Sequence, residues 1–166
     1  MTDALATYLH DHLAGSHFAI KLLDSLHQQY RDDDLGNFAL AIRAEVKQDQ
    51  ETLEGIIDQV GKANLDLTDA AGWLVEKASK FKLQRDDSSG GLGTFEALET
   101  LTLGIRGKLA LWKALPVIRE ADQRIPALDF DELRDRAEDQ FAQVEEQRLQ
   151  LARFTFWPAS KWPASK

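Results

Sequence analysis

The chain has 166 residues, of which 43% are hydrophobic and 29% charged, with a formal net charge of -8. That is one domain long enough to bury a sizeable core, and its acidic balance argues against the basic surface that non-specific nucleic-acid binding needs. The absence of cysteine excludes disulfides, thiolate metal sites and cysteine nucleophiles. No apolar run approaches the roughly 20 residues that cross a bilayer. Met1-Thr2-Asp3-Ala4 lacks the basic and apolar segments of a signal peptide. The expectation is a soluble bacterial cytoplasmic protein with no membrane partner.

Helical periodicity dominates the chain and strand alternation is almost absent. A first helix is expected from about Asp3 to about Gln29, with Leu5, Leu9, Ile20, Leu23 and Tyr30 on one side. Arg31-Asp32-Asp33-Asp34 is a polar turn, with Asp34 as N-cap. A second helix follows to about Val60, burying Phe38, Ile42, Leu53, Ile56 and Val60, and Gly61 stops it. Residues from Lys62 to Gly93 are too many for a hairpin loop. They predict a short helix from about Asp69 to Lys82, then a Gly/Ser/Asp loop.

Thr94 is the expected cap of a third long helix reaching about Leu115, where Pro116 kinks or ends it. Asp129 with Glu132 resembles a capping box for a fourth helix running to about Phe154. The expected fold is therefore an all-α four-helix bundle over residues 1–154, with a short extra helix in the crossover between helices two and three. Residues 155–166 form an aromatic, proline-containing tail in which Trp157-Pro158-Ala159-Ser160-Lys161 is repeated as Trp162 to Lys166. Self-docking or a dimer contact is the expected role of that tail.

Two helical hairpins joined by one long crossover make the ferritin-like topology. The alternative is an up-down-up-down bundle with the short helix across one end. Tyr8-Leu9-His10-Asp11-His12-Leu13-Ala14-Gly15, Ala71-Gly72-Trp73-Leu74 and Ala110-Leu111-Trp112-Lys113-Ala114-Leu115 resemble segments of uncharacterised bacterial ferritin-like proteins. The resemblance implies a ferritin-like bundle from helix one to helix four. Metal-binding members use a Glu from each of two helices and Glu-x-x-His from each of the others. No Glu-x-x-His occurs here, and all four histidines (His10, His12, His17 and His27) lie on the first helix.

Each long helix carries a polar residue on its inward stripe, which costs free energy unless it is paired. A turn of about 100° per residue places His12 at the centre of the first stripe, Ser16 beside it, and His10 and His17 on the solvent side. Asp49 is central on the second helix, with Glu45 one turn earlier. Lys108 lies between Leu101, Ile105, Trp112 and Leu115, where its stem can be buried while its ammonium reaches water. Arg148 shares the fourth stripe with Gln140, Phe141 and Val144. If helix three runs parallel to helix two, these residues meet at one height. The expected polar layer is His12, Ser16, Glu45, Asp49, Lys108 and Gln140, with Arg148 nearby.

The layer's two carboxylates and two cations are nearly balanced, so salt bridges are expected where a di-metal centre would need about four carboxylates. Asp49 or Glu45 is expected to contact Lys108 or Arg148, with no metal between them. Three functions follow. The first is a non-catalytic binding or assembly protein without a cofactor, expected as a homodimer. The second is an iron or manganese redox or storage protein with an atypical site at His12, Glu45, Asp49 and Glu99. The third is a binder of a small acidic ligand at Lys108 or Arg148.

Overall fold

The computed structural model describes residues 3–61 and 91–157. The short helix expected at 69–82, most of the loop at 86–93 and the repeat at 158–166 lie outside the described residues. Among the described residues the fold is all-α, with four long helices: α1 (Ala4–Gln29), α2 (Asp34–Val60), α3 (Leu92–Ala121) and α4 (Phe130–Phe156). None of them is long and apolar enough to cross a membrane.

Local chemistry accounts for the helix ends. Asp3 caps α1, its carboxylate accepting from the amides of Leu5 at 3.0 Å and Ala6 at 3.3 Å. Such a cap contributes about 1 kcal/mol. Asp33 rather than Asp34 is the N-cap of α2, and Asp34 stands in the first turn, where its charge complements the helix dipole. Gly61 ends α2 at φ 101°, a backbone conformation that favours glycine. Asp129 caps α4, accepting from the Glu132 amide at 3.0 Å.

The third helix departs from expectation at both ends. It begins at Leu92, after Gly91 at φ 81°, so Thr94 lies inside its first turn. The Thr94 hydroxyl is buried and meets the Tyr30 hydroxyl at 2.7 Å. Pro116 does not end the helix, which continues to Ala121. An internal proline costs about 3 kcal/mol through a lost hydrogen bond and a carbonyl clash. Burial of Leu111, Trp112 and Leu115 on the same segment offsets that cost, because each fully buried large side chain contributes about 1.5–3 kcal/mol.

Contacts between chain ends define the topology. Arg124, just after α3, reaches Asp3 at 2.5 Å and the Val60 carbonyl at 3.1 Å. The start of α1 and the ends of α2 and α3 therefore share one end of the bundle. The Tyr30–Thr94 contact puts the end of α1 beside the start of α3 at the other. So α2 and α3 run parallel, and Val60 and Leu92 sit at opposite ends. Lys113–Glu138 at 3.7 Å and Arg148–Glu99 at 3.1 Å show that α4 runs antiparallel to α3.

The apolar core falls into two clusters. One joins Leu9, Ile56, Trp112, Leu115 and Leu133. The other joins Leu23, Leu26, Ile42, Leu98 and Val144. Between them, at mid-height, lie the buried polar residues Asp49, Gln50 and Gln140.

Candidate functional site

The parallel course of α2 and α3 brings Asp49 and Lys108 to one height. Lys108 Nζ donates to Asp49 Oδ2 at 2.6 Å and also to Gln140 Oε1. Gln140 Nε2 donates to the same Asp49 oxygen at 3.2 Å. Three helices thus close a triangle of hydrogen bonds. The Asp49 side chain is 3% exposed and that of Lys108 16%. Arg136, one turn before Gln140, approaches the other Asp49 oxygen, Nε to Oδ1 at 3.4 Å. Glu45, half-buried one turn along α2, adds negative charge towards Lys108.

Burial pulls the Lys108 ammonium below the ordinary lysine range, and the Asp49 carboxylate opposes that shift. Two carboxylates, Glu45 and Asp49, face two cations, Lys108 and Arg136. A buried set with balanced charge leaves no ion alone in low dielectric, although its desolvation costs several kcal/mol per ion.

Gln50, beside Asp49 in sequence, points to α1. Its Nε2 donates to Ser16 Oγ at 2.9 Å and to His17 Nδ1 at 3.0 Å. Ser16 Oγ in turn donates to the Leu13 carbonyl at 2.7 Å. Ser16 therefore belongs to a second polar group on the same level, and His17, expected on the solvent side, takes part in it. The Lys47 ammonium closes this group by donating to Gln50 Oε1 at 3.4 Å.

A cavity of about 220 Å³ opens between α1, α2 and α3 beside the triangle. His12, Gly15 and Ser16 line it from α1, Asp49 from α2, and Lys108 and Trp112 from α3. His12 stands edge-on to the Tyr8 ring, centroids 4.7 Å apart. Burial lowers the His12 pKa from its ordinary 6.5, with the Asp11 charge opposing. Its surroundings therefore favour the neutral imidazole over the imidazolium.

Arg148 and Glu99 lie apart from this assembly. Arg148 is two turns beyond Gln140, about 12 Å along the helix. It binds Glu145 through Nη2 at 2.6 Å and Nε at 2.8 Å, and Glu99 through Nη1 at 3.1 Å. Glu99 is thus held by Arg148 at the outer edge of the bundle, its side chain 51% exposed. Of the four residues suited in sequence to iron or manganese, His12 and Asp49 line one cavity, Glu45 flanks Lys108, and Glu99 lies two turns away. Among the described residues no three histidine, aspartate or glutamate side chains converge. The Lys108 ammonium takes the place beside Asp49 that a cation would need, so these residues do not fit a di-metal centre.

Periodicity alone did not single out Arg136 or Gln50. Arg136 precedes Gln140 by four positions, the spacing of neighbours on one helix face. Gln50 shows that α2 buries a stripe wide enough for two consecutive polar residues, one aimed at α3 and α4 and the other at α1.

These features define an all-α four-helix bundle with an ionic layer at mid-height and a cavity beside it. Compared with protein-family models, curated proteins and solved structures, the chain shows no match.

Proposed function

We propose that this chain is a ferritin-like bundle acting as a non-catalytic binding or assembly protein, with a salt-bridged layer in place of a di-metal site. The observation that carries the proposal is the Lys108 ammonium, held by Asp49 at 2.6 Å and by Gln140 at the centre of the bundle. The opposite-end positions of Val60 and Leu92 support a ferritin-like crossover between the two hairpins. An acidic ligand at Lys108 or Arg148 is the weaker reading, because both cations already have carboxylate partners.

Assembly as a homodimer is part of the proposal. Leu103 and Val117 lie 68% and 66% exposed on the outer face of α3, two heptads apart. Sedimentation of the full chain gives the mass of the assembly.

Elemental analysis of protein purified without chelator, before and after anaerobic Fe(II) loading, tests the central claim. Metal well below one ion per chain is expected. About two tightly held iron or manganese ions per chain, the stoichiometry of a di-metal bundle, would overturn it.

A further inference from the structure

The cavity beside the ionic layer has walls that specify a ligand class. Most of the surface that lines it is apolar, with Ile42, Leu53, Leu101 and Ile105 among the contributors. Its volume of about 220 Å³ is half as large again as an engineered apolar cavity of ~150 Å³ that takes benzene. That is room for one or two fused rings.

Among the described residues, two buried polar atoms on lining residues lack hydrogen-bond partners. Trp112 Nε1 is a donor with no acceptor, on a side chain 1% exposed. Asp49 Oδ1 accepts no hydrogen bond among the described residues either, and its ion pair to Arg136 is 3.4 Å long. An indole N–H can only donate and an ionised carboxylate can only accept. A hydroxyl group both accepts and donates, so it complements either kind of atom.

Charge narrows the class further. Lys108 is already bound to Asp49 and Gln140, so the cavity offers no spare cation. An anionic ligand would lie beside the Asp49 carboxylate. The lining includes Gly15 on α1 and Gly104 and Gly107 on α3, exposed or half-buried positions where an added Cβ would meet nothing within 4 Å. That leaves the way in unobstructed by side chains at three positions.

We infer that the cavity between α1, α2 and α3 binds a small neutral aromatic molecule of one or two rings bearing a hydroxyl group, recognised by Trp112 Nε1 and Asp49. The inference rests on the binding role proposed above, and the two fail separately. Bound iron overturns the salt-bridged layer, whereas indifference to a neutral aromatic alcohol overturns only the ligand class.

The test titrates the full chain with 2-naphthol and with 2-naphthoate, followed by calorimetry and by amide NMR shifts at Gly104 and Gly107. Saturable 2-naphthol binding localised to those amides is expected, with 2-naphthoate at least about tenfold weaker because of the like charge. Trp112→Phe removes the donor and keeps most of the wall, so 2-naphthol affinity falls about fivefold. Gly107→Leu, or Gly15→Leu on the facing helix, fills the mouth and abolishes binding. Either change also favours helix, since glycine is a poor helix former. The inference is overturned by wild-type protein that shows no saturable shift, or that binds 2-naphthoate as well as 2-naphthol. It is equally overturned by folded glycine variants that bind like wild type, or by unchanged affinity in Trp112→Phe.

Discussion

Lys108 Nζ and Asp49 Oδ2 meet 2.6 Å apart although 59 positions separate them in the chain. Neither ion could sit at mid-bundle alone, because an isolated buried charge costs far more than any single packing contact returns. Their meeting depends on α2 and α3 running parallel, so the pair also reports the register between the two hairpins.

Removing one partner should cost more than removing both. Asp49→Ala leaves Lys108 and Arg136 with only the more distant Glu45 to balance them, at a cost of about 3–5 kcal/mol. For a chain of this size that lowers the Tm by roughly 6–20 °C. The double variant Asp49→Leu/Lys108→Met replaces the pair by apolar groups of similar size, and Arg136, one-fifth exposed, can turn to water. It should recover part of the loss that Asp49→Ala causes, because no unpaired ion is left, but fall short of wild type by about 1–3 kcal/mol, because the buried Gln140 amide loses both partners. Urea unfolding of wild type, Asp49→Leu, Lys108→Met and the double variant gives the coupling energy. A double variant less stable than Asp49→Ala would refute the account.

His12 predicts a pH dependence of known sign. Burial holds its folded pKa below the ordinary 6.5. Between those two values the unfolded chain binds a proton that the folded chain refuses, so stability rises with pH through that window. Lowering the pH from neutral should therefore cost stability below pH 6.5, and His12→Asn should flatten that slope. Asp11 on the same helix opposes the shift, while Asp49 and Lys108 line the same cavity. Asp3, Asp122 and Glu145, whose pKa values are lowered, lose their contribution further into acid in both proteins. Equal slopes for wild type and variant above that acid range would exclude His12 as the source.

Two glycines of α2 should respond oppositely to alanine. At Gly36 an added Cβ would lie 1.9 Å from the Tyr30 carbonyl oxygen. His27 Nδ1 also donates to the Gly36 carbonyl at 3.0 Å, so backbone movement there disturbs the α1–α2 turn. Gly36→Ala should cost at least about 1–3 kcal/mol, the usual range for overpacking. Gly55 is exposed and an added Cβ would meet nothing within 4 Å. Gly55→Ala should stabilise by about 1 kcal/mol through helix propensity. Thermal melts of the two variants on either side of wild type are the expected result.

Tyr30→Phe deletes the hydroxyl that meets Thr94 and leaves Thr94 Oγ1 buried without that partner. A loss of about 1–2 kcal/mol is expected. Hydrogen exchange should quicken first at the opening turn of α3, because that contact ties it to α1. Unchanged protection of the Phe95 amide, which donates to Gly91 in that turn, would contradict this.

The helices and the height of the polar residues were legible in the chain because both follow from regular geometry. Periodicity marked Asp49, Lys108 and Gln140 as inward, and a rise of 1.5 Å per residue put them on one level. What the sequence could not show was rotation about each helix axis. That rotation decides whether Asp49 or Gln50 faces α1, and it sends Ser16 to Gln50 rather than to Asp49. Arg148 read as part of the layer because it shares a stripe with Gln140, yet two turns of helix carry it to Glu99 and Glu145. Pro116 read as a kink or an end because local propensity disfavours it, whereas the burial of Trp112 and Leu115 before it is a tertiary effect. The cavity has no linear signature, since Gly15, Gly104 and Gly107 line one space only when α1 and α3 are side by side.

Each of the two apolar clusters draws residues from all four helices, one from Ala6 to Ala137 and the other from Leu22 to Val144. Neither hairpin therefore owns a core of its own. A fragment holding only α1 and α2 would expose half of each cluster to water and find nothing to replace the partner surface. Such a chain has no stable halfway house, because the units that open independently in other proteins coincide with self-contained motifs. Calorimetric and van't Hoff enthalpies of unfolding should accordingly agree, and the bundle should be lost in one step.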